Sequence, residues 1–306
     1  MEEVIQVEGL VKRFGDLTAV DNISFTVLQG EIFGIVGPNG AGKTTTLETI
    51  EGIQTPTQGT IRVLGMDISR DTNGIKERIG VQLQASAYFD YLKLTEILEL
   101  FGSFYSTRIP PGDLLDLVDL RNKAGTVLKK LSGGQKQRFT FAASLVNDPD
   151  LIILDEPTTG LDPVARHSLW ELIRRIHGRG KTIVLTTHYM EEAQALCHRV
   201  AIMDGGRIMA LDTIPGLVQS ISNANRVTIT TSKPLELPQL TPPLWELEPN
   251  GANGVTLRLR VQNPPQALSI ILETAARKGV EIEHMEAIPA TLEDVFLELT
   301  GHRLQD

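Results

Sequence analysis

The chain has 306 residues, 41% of them hydrophobic, and a formal net charge of -9 at pH 7, a length that suits one large domain and a smaller one, or two medium domains. No run of about 18 apolar residues exists, which excludes a membrane-spanning helix, and the acidic balance argues against nucleic acid as a partner, since phosphate-backbone binding takes clustered Lys and Arg. A single cysteine, Cys197, excludes an internal disulfide and fits a reducing compartment.

In chain order, the start MEEVIQVEGLVKRFG is acidic and has no basic segment ahead of an apolar run, so no secretory leader is expected. EVIQVEGLVKRF and NISFTVLQG read as strands. EIFGIV, LIILD, TIVLTT and VAIMDGG are continuous apolar runs of strand length, the pattern of strands covered on both faces. Between about 87 and 147 the strand signal gives way to helical runs such as LKLTEILELFGSFY, which predicts a helical subdomain inserted into the core. After Pro163, Leu169, Leu172, Ile173 and Ile176 recur at i, i+3, i+4 and i+7, one buried helical stripe. Strands alternating with such helices predict a parallel α/β core over residues 1 to about 220.

The pattern shifts after residue 220. VTITT and TLRLRV alternate as strands, separated by SKPLELPQLTPP, whose prolines forbid a continuous ladder or helix. PPQALSIILETAARKG places Leu268, Ile271, Leu272 and Ala275 at helical spacing. VEIEHMEAI reads as a strand. TLEDVFLELTG reads as a helix with Leu292, Val295, Phe296 and Leu299 on one face, Thr291 and Asp294 forming its cap. Residues 221–306 are therefore expected to form a small α+β domain.

Three stretches carry chemistry. GPNGAGKTT, residues 37 to 45, directly follows EIFGIV and matches G-x-x-x-x-G-K-[ST] as Gly37, Gly42, Lys43 and Thr44. Glycines let successive amides of Pro38-flanked Asn39, Gly40, Ala41 and Gly42 approach phosphate oxygens that a Cβ would fend off. The following helix, beginning near Thr45, offers its unpaired amides and positive dipole end to the same anion. Lys43 supplies a charge to β- and γ-phosphates and Thr44 a hydroxyl to Mg2+. LIILDEP, residues 151 to 157, ends a buried strand in two acids: Asp155 is placed to hold the Mg2+ shell and Glu156 to face an attacking water. LSGGQKQR, residues 131 to 138, reads as a helix start with Ser132 as N-cap, followed by Gly133, Gly134 and Gln135.

Taken together and in this order, the phosphate-binding loop, LSGGQ and DEPT resemble the ATP-binding cassette family over residues 4 to about 215. The resemblance implies a P-loop NTPase fold with an antiparallel β subdomain and an inserted helical subdomain. It also implies ATP as substrate with Mg2+. By the same resemblance Phe14 matches the aromatic that stacks on adenine, with base–aromatic stacking worth about 1–3 kcal/mol. Gln84 in RIGVQLQ matches the glutamine that reaches Mg2+ and the γ-phosphate side, although Gln82 shares its strand face and leaves that assignment open. Asp162 in TTGLDP matches the loop that crosses a dimer interface. His188 in LTTHYMEEA matches the histidine that contacts the γ-phosphate.

In this family LSGGQ completes the nucleotide site of a second cassette. One P-loop and no internal repeat imply a second copy of the subunit, paired head to tail. GVQLQASAYFDYLKLTEILELFGSFY and the terminal ATLEDVFLELTG resemble the ATPase subunits of ABC-2 type transporters, drug-efflux members included. That resemblance implies a separate ABC-2 type permease as partner and a cytoplasmic location, peripheral on the inner face of the cell membrane. Three aromatics, Tyr88, Phe89 and Tyr91, are the expected docking surface. The alternative is a soluble ABC ATPase acting on ribosomes or DNA, which the acidic charge and the single cassette disfavour.

Overall fold

A computed structural model describes residues 2–82, 90–221, 225–235, 245–250, 254–261 and 263–302. Their contacts divide the chain into two compact units, residues 1–214 and 215–303, so the division falls some six residues before the expected boundary at 220.

The larger unit opens with β1 (Glu3–Phe14), β2 (Leu17–Leu28), β3 (Ile32–Val36), α1 (Lys43–Ile50), β4 (Gln58–Val63), β5 (Met66–Asp67), α2 (Thr72–Arg78) and β6 (Ile79–Gln82). Helices α3 (Leu94–Gly102), α4 (Pro111–Leu117) and α5 (Gly133–Ala143) follow, then β7 (Leu151–Asp155), α6 (Pro163–His177), β8 (Thr182–Thr187), α7 (Met190–Leu196), β9 (Arg199–Asp204) and β10 (Arg207–Thr213). Among the described residues, 90–147 carry helices and no named strand, as the helical pattern there predicts.

Two sheets are built from these strands. An antiparallel sheet has the order β2-β1-β4-β5, and a six-stranded sheet has the order β10-β9-β3-β8-β7-β6. Within the latter, β9, β3, β8, β7 and β6 run parallel and β10 is an antiparallel edge. Every residue of β3, β7 and β8 is buried, which explains why these strands read as unbroken apolar runs. Their side chains alternate between two cores. Ile152, Leu154, Ile183 and Leu185 pack with the helical segment (Leu94, Phe139, Phe141) and with α6. Leu151, Ile153 and Val184 pack with α1 and the antiparallel sheet through Leu47, Ile50, Ile5 and Phe25. The expected stripe of α6 is buried in full, with Leu169, Leu172, Ile173 and Ile176 all at 2% exposure or less.

The smaller unit holds α8 (Ile214–Ser220), β11 (Asn225–Thr231), β12 (Trp245–Asn250), β13 (Gly254–Val261), α9 (Pro264–Lys278), β14 (Ile282–Ile288) and α10 (Leu292–Thr300). Its four strands form an antiparallel sheet, β12-β13-β11-β14. Thr291 and Asp294 cap α10 reciprocally, the Thr291 N–H donating to Asp294 Oδ2 at 2.9 Å. Two apolar positions depart from the sequence reading: Leu272 is 47% and Leu299 36% exposed. The buried face of α9 is Ala267, Ile271, Thr274 and Ala275, which keeps the expected Ile271 and Ala275, while Leu268 packs partly buried against the same core with Val227, Ile229, Leu257 and Leu259 of the sheet.

Candidate nucleotide site

The candidate residues are gathered by topology. The loop after β3, the end of β7 and the end of β8 belong to adjacent parallel strands, and the C-terminal ends of such strands are where α/β sheets bind ligands. The first contact is made by the backbone, with Gly37 N–H donating to Thr187 O at 3.3 Å. A Cβ on Gly37 would stand 2.1 Å from Met203 O, so only glycine lets the loop leave β3 here. Gly42 has φ +97°, and a Cβ there would meet Ala19 O at 2.5 Å. The α1 ladder starts with Thr46 N–H to Gly42 O at 2.9 Å. The amides of Lys43, Thr44 and Thr45 therefore precede that ladder, as in any helix start.

Lys43 is 4% exposed. Its ammonium donates to Gly37 O at 2.8 Å and to Pro38 O at 3.0 Å, and the third direction holds Glu156 Oε1 at 3.4 Å. Burial lowers the Lys43 pKa from its ordinary value, against the opposing pull of Glu156 and Asp155. Glu156 Oε2 lies 3.2 Å from His188 Nδ1 and accepts from the Thr159 hydroxyl at 3.1 Å. Burial works against its charge, but Lys43, His188 and Thr159 more than offset this, and its carboxyl titrates below the usual range. Glu156 also has φ +47°, a left-handed conformation uncommon for a non-glycine residue and concentrated at functional sites. Its N–H is tied to the Thr186 hydroxyl at 3.0 Å, which holds the turn in place.

Thr44 donates to the Asp155 carboxylate, at 3.0 Å to Oδ2 and 3.2 Å to Oδ1, and the Thr186 hydroxyl also donates to Oδ1. Burial raises the Asp155 pKa in spite of these bonds; a cation beside it would reverse that. Two hard oxygen ligands converging on one point fit Mg2+, which is held by one or two protein groups together with substrate phosphates. Among the described residues no cluster of three or more His, Cys, Asp or Glu side chains forms a metal cage.

The other expected residues lie apart from this cluster in terms of direct bonds. Phe14 ends β1, 44% exposed, with Lys12 Nζ 4.7 Å above its ring. Ser132 caps α5, its hydroxyl accepting from Gln135 N–H at 3.3 Å while its own N–H donates to Gln135 Oε1 at 3.1 Å. A Cβ on Gly133 would meet nothing within 4 Å, while one on Gly134 would stand 3.1 Å from Ala165. Asp162 caps α6, accepting from Ala165 N–H at 2.9 Å. Gln82 is 1% exposed at the end of β6, and its amide has no hydrogen-bond partner among the described residues. Gln84, Tyr88 and Phe89 lie outside the described residues, and Tyr91 is 79% exposed.

Three functional contacts escape the sequence reading. Thr186 and Thr159 bond to the two acids, and the Gln137 amide of α5 donates to Pro157 O in the loop just after Glu156. Paired threonines ending a buried strand, as in TIVLTT, were the available signal for the first of these.

The comparisons identify the family. The family described as ABC transporter matches residues 20–159. The chain is 40% identical over 312 residues to the Nod factor export ATP-binding protein I of Paraburkholderia xenovorans, covering 100% of this chain and 99% of that protein. It is 39% identical to the protein of the same name from Sinorhizobium fredii, covering 99% and 87%. Among solved structures, an ATP-binding subunit of an ABC transporter superposes with a TM-score of 0.64 at 28% identity, covering 71% of this chain and 92% of that one. An ATP-binding cassette in a dimeric post-hydrolysis state, bound to ADP and Pi, gives 0.62 at 25% identity, covering 68% and 98%. The chain that gathers Lys43, Thr44, Asp155 and Glu156 at these strand ends is a member of the ATP-binding cassette family, an ATP-binding and ATP-hydrolysing transporter subunit.

Proposed function

We propose that the chain hydrolyses Mg2+-bound ATP between two copies of itself, paired head to tail, and that the closure of this dimer drives export through a separate ABC-2 type membrane permease. The convergence of Lys43, Glu156 and His188 on one another carries the reading. A γ-phosphate arriving beside Lys43 competes with Glu156 for the third ammonium direction. The carboxylate so released is still held by His188 and Thr159, and it accepts a proton from, or orients, the attacking water. Lys43 and the loop amides compensate charge on the transferring phosphoryl group. Thr44 and Asp155, with Gln84 as the further ligand, would hold Mg2+, which would supply charge neutralisation to the phosphates.

Phe14 is assigned to the adenine, and Ser132 to Gln135 with Asp162 to the nucleotide of the second copy. No helix among the described residues is long and apolar enough to cross a membrane. On its membership of a family of transporter ATP-binding subunits, the transport path is assigned to the permease and the chain to the cytoplasmic face. Residues 221–306 are assigned to an accessory domain. Relatives named for export support the direction, and a solved dimeric cassette supports the pairing.

The test is Glu156→Gln. The amide is nearly isosteric, so Asp155 and Thr44 keep their geometry, yet it takes no proton from water. Turnover should fall about 10²–10⁴-fold while size-exclusion chromatography with Mg-ATP shows a trapped dimer. Near-normal turnover in this variant would refute the assignment.

A further inference from the structure

Glu192 stands on α7, wholly buried, and the nucleotide chemistry does not use it. Its Oε1 accepts from the Trp170 indole N–H of α6 at 3.0 Å. Burial raises its pKa, and the hydroxyls of Thr187 and Thr158, the Trp170 indole and the charge of Arg166 each work against that rise. Donors from α6, from the end of β8 and from the loop after β7 therefore meet at one carboxyl group. An apolar side chain would fill the same space without the cost of burying an acid, so what the acid adds is the geometry it holds.

Both threonines are buried and both border the site. Thr187 directly precedes His188, and Thr158 lies two residues after Glu156. A threonine hydroxyl donates one hydrogen bond and can accept others. That of Thr187 accepts from the Tyr189 N–H at 2.9 Å, which shapes the turn at His188 and leaves the hydroxyl proton for Glu192. The Thr158 hydroxyl and Glu192 Oε2 find no hydrogen-bond partner elsewhere among the described residues. The turn containing Thr158 begins with the left-handed Glu156, φ +47°, and such a conformation persists only where its surroundings hold it. Thr186 holds the Glu156 end of that turn at 3.0 Å. Glu192 is placed to hold the Thr158 end.

We propose that Glu192 is a positioning residue for ATP hydrolysis: its carboxyl group ties Thr158 to Thr187 and thereby keeps Glu156 and His188 at their 3.2 Å separation. It acts through those two residues and not on the nucleotide itself. Lys43, Thr44 and Asp155 are fixed by bonds of their own, so loss of the tie reaches the groups that orient water and spares those that bind phosphate. The inference rests on the roles assigned above to Glu156 and His188.

Steady-state kinetics of the full chain with Mg-ATP tests this. Glu192→Ala should lower kcat about 10- to 100-fold, the scale on which a displacement of about 1 Å is felt at reacting groups, with KM for ATP changed less than about threefold. Glu192→Gln still bonds to Trp170 and to both hydroxyls, and should keep kcat within about threefold of the wild type. Thr158→Val keeps the side-chain shape and removes one tie, so kcat should fall about 2- to 10-fold at the same KM. In a His188→Ala background the further cost of Glu192→Ala should be at least about fivefold smaller than in the wild type, because one of the groups it positions is already gone. Unchanged kcat in Glu192→Ala, a loss confined to KM, a Glu192→Gln as slow as Glu192→Ala, or a loss that multiplies in full with His188→Ala overturns the proposal. If Glu192→Ala does not fold, unchanged kcat in Thr158→Val overturns it instead. Normal kcat in Glu192→Ala beside an inactive Glu156→Gln removes Glu192 alone, whereas near-normal turnover in Glu156→Gln removes the reading on which it rests.

Discussion

Lys43 Nζ stands 3.4 Å from Glu156 Oε1, and both side chains are almost wholly buried. The pair joins the phosphate-binding loop to the acid that follows β7, and each residue favours the charged form of the other against the effect of burial. Removing the ammonium deletes phosphate compensation and leaves Glu156 Oε2 beside His188 Nδ1 at 3.2 Å. Lys43→Ala is expected to weaken ATP binding by about 10- to 100-fold and to abolish the ATP-dependent dimer. Titration with a fluorescent nucleotide, followed by size-exclusion chromatography, separates this from Glu156→Gln, which keeps both.

His188 holds Glu156 from the β8 side. Its replacement by alanine frees the carboxylate to turn toward Lys43 and away from water. Turnover is expected to drop about 10²-fold or more with KM for ATP changed only a few-fold, since Lys43, Thr44 and Asp155 remain. Steady-state kinetics reads the split, and a pure KM effect would argue against this role.

Glu51 makes stability depend on pH. Burial, reinforced by Asp155 and Glu48, raises its folded pKa to about 8, above the ordinary 4.5, so between these values the folded chain retains a proton that the unfolded chain has released. Stability contributed by this group therefore falls as pH rises from about 4.5 to 8, by a few kcal/mol in all. Chemical denaturation at pH 6 and pH 9 should show a smaller loss for Glu51→Gln than for the wild type.

Trp170 and Glu192 form a second buried polar link. The indole N–H of Trp170 donates to Glu192 Oε1 at 3.0 Å, joining α6 to α7, and Glu192 is 0% exposed with its pKa raised by burial. Trp170→Phe keeps most of the ring volume and removes the donor. It should cost about 1–3 kcal/mol, visible as a lower Tm, while Glu192→Gln in the same background recovers part of the loss.

Residues beyond about 220 contribute no phosphate, metal or adenine motif. A chain truncated after Ser220 is expected to fold and to bind ATP with unchanged affinity in the same fluorescence titration. A folded truncation that fails to bind would give the smaller unit a direct part in the site.

Some of this was decided by local sequence. The loop at Gly37 to Thr45, the acids at 155 and 156, the caps at Ser132, Asp162 and Thr291 and the apolar runs of β3, β7 and β8 follow from backbone freedom, hydrogen-bond chemistry and burial on two faces. Each of these constraints acts over a few residues and leaves its mark there. Other features needed the fold. The left-handed φ of Glu156, the hold of Thr186 on Asp155, the bond from Gln137 to Pro157 and the burial of Glu51 all depend on which strands and helices become neighbours. The same is true of Leu272 and Leu299, whose spacing marks a helix face but whose burial is fixed by how closely that helix approaches its sheet. Periodicity reports a residue's own element; contact with another element is a property of tertiary packing, and the chemistry of the site lies mostly in such contacts.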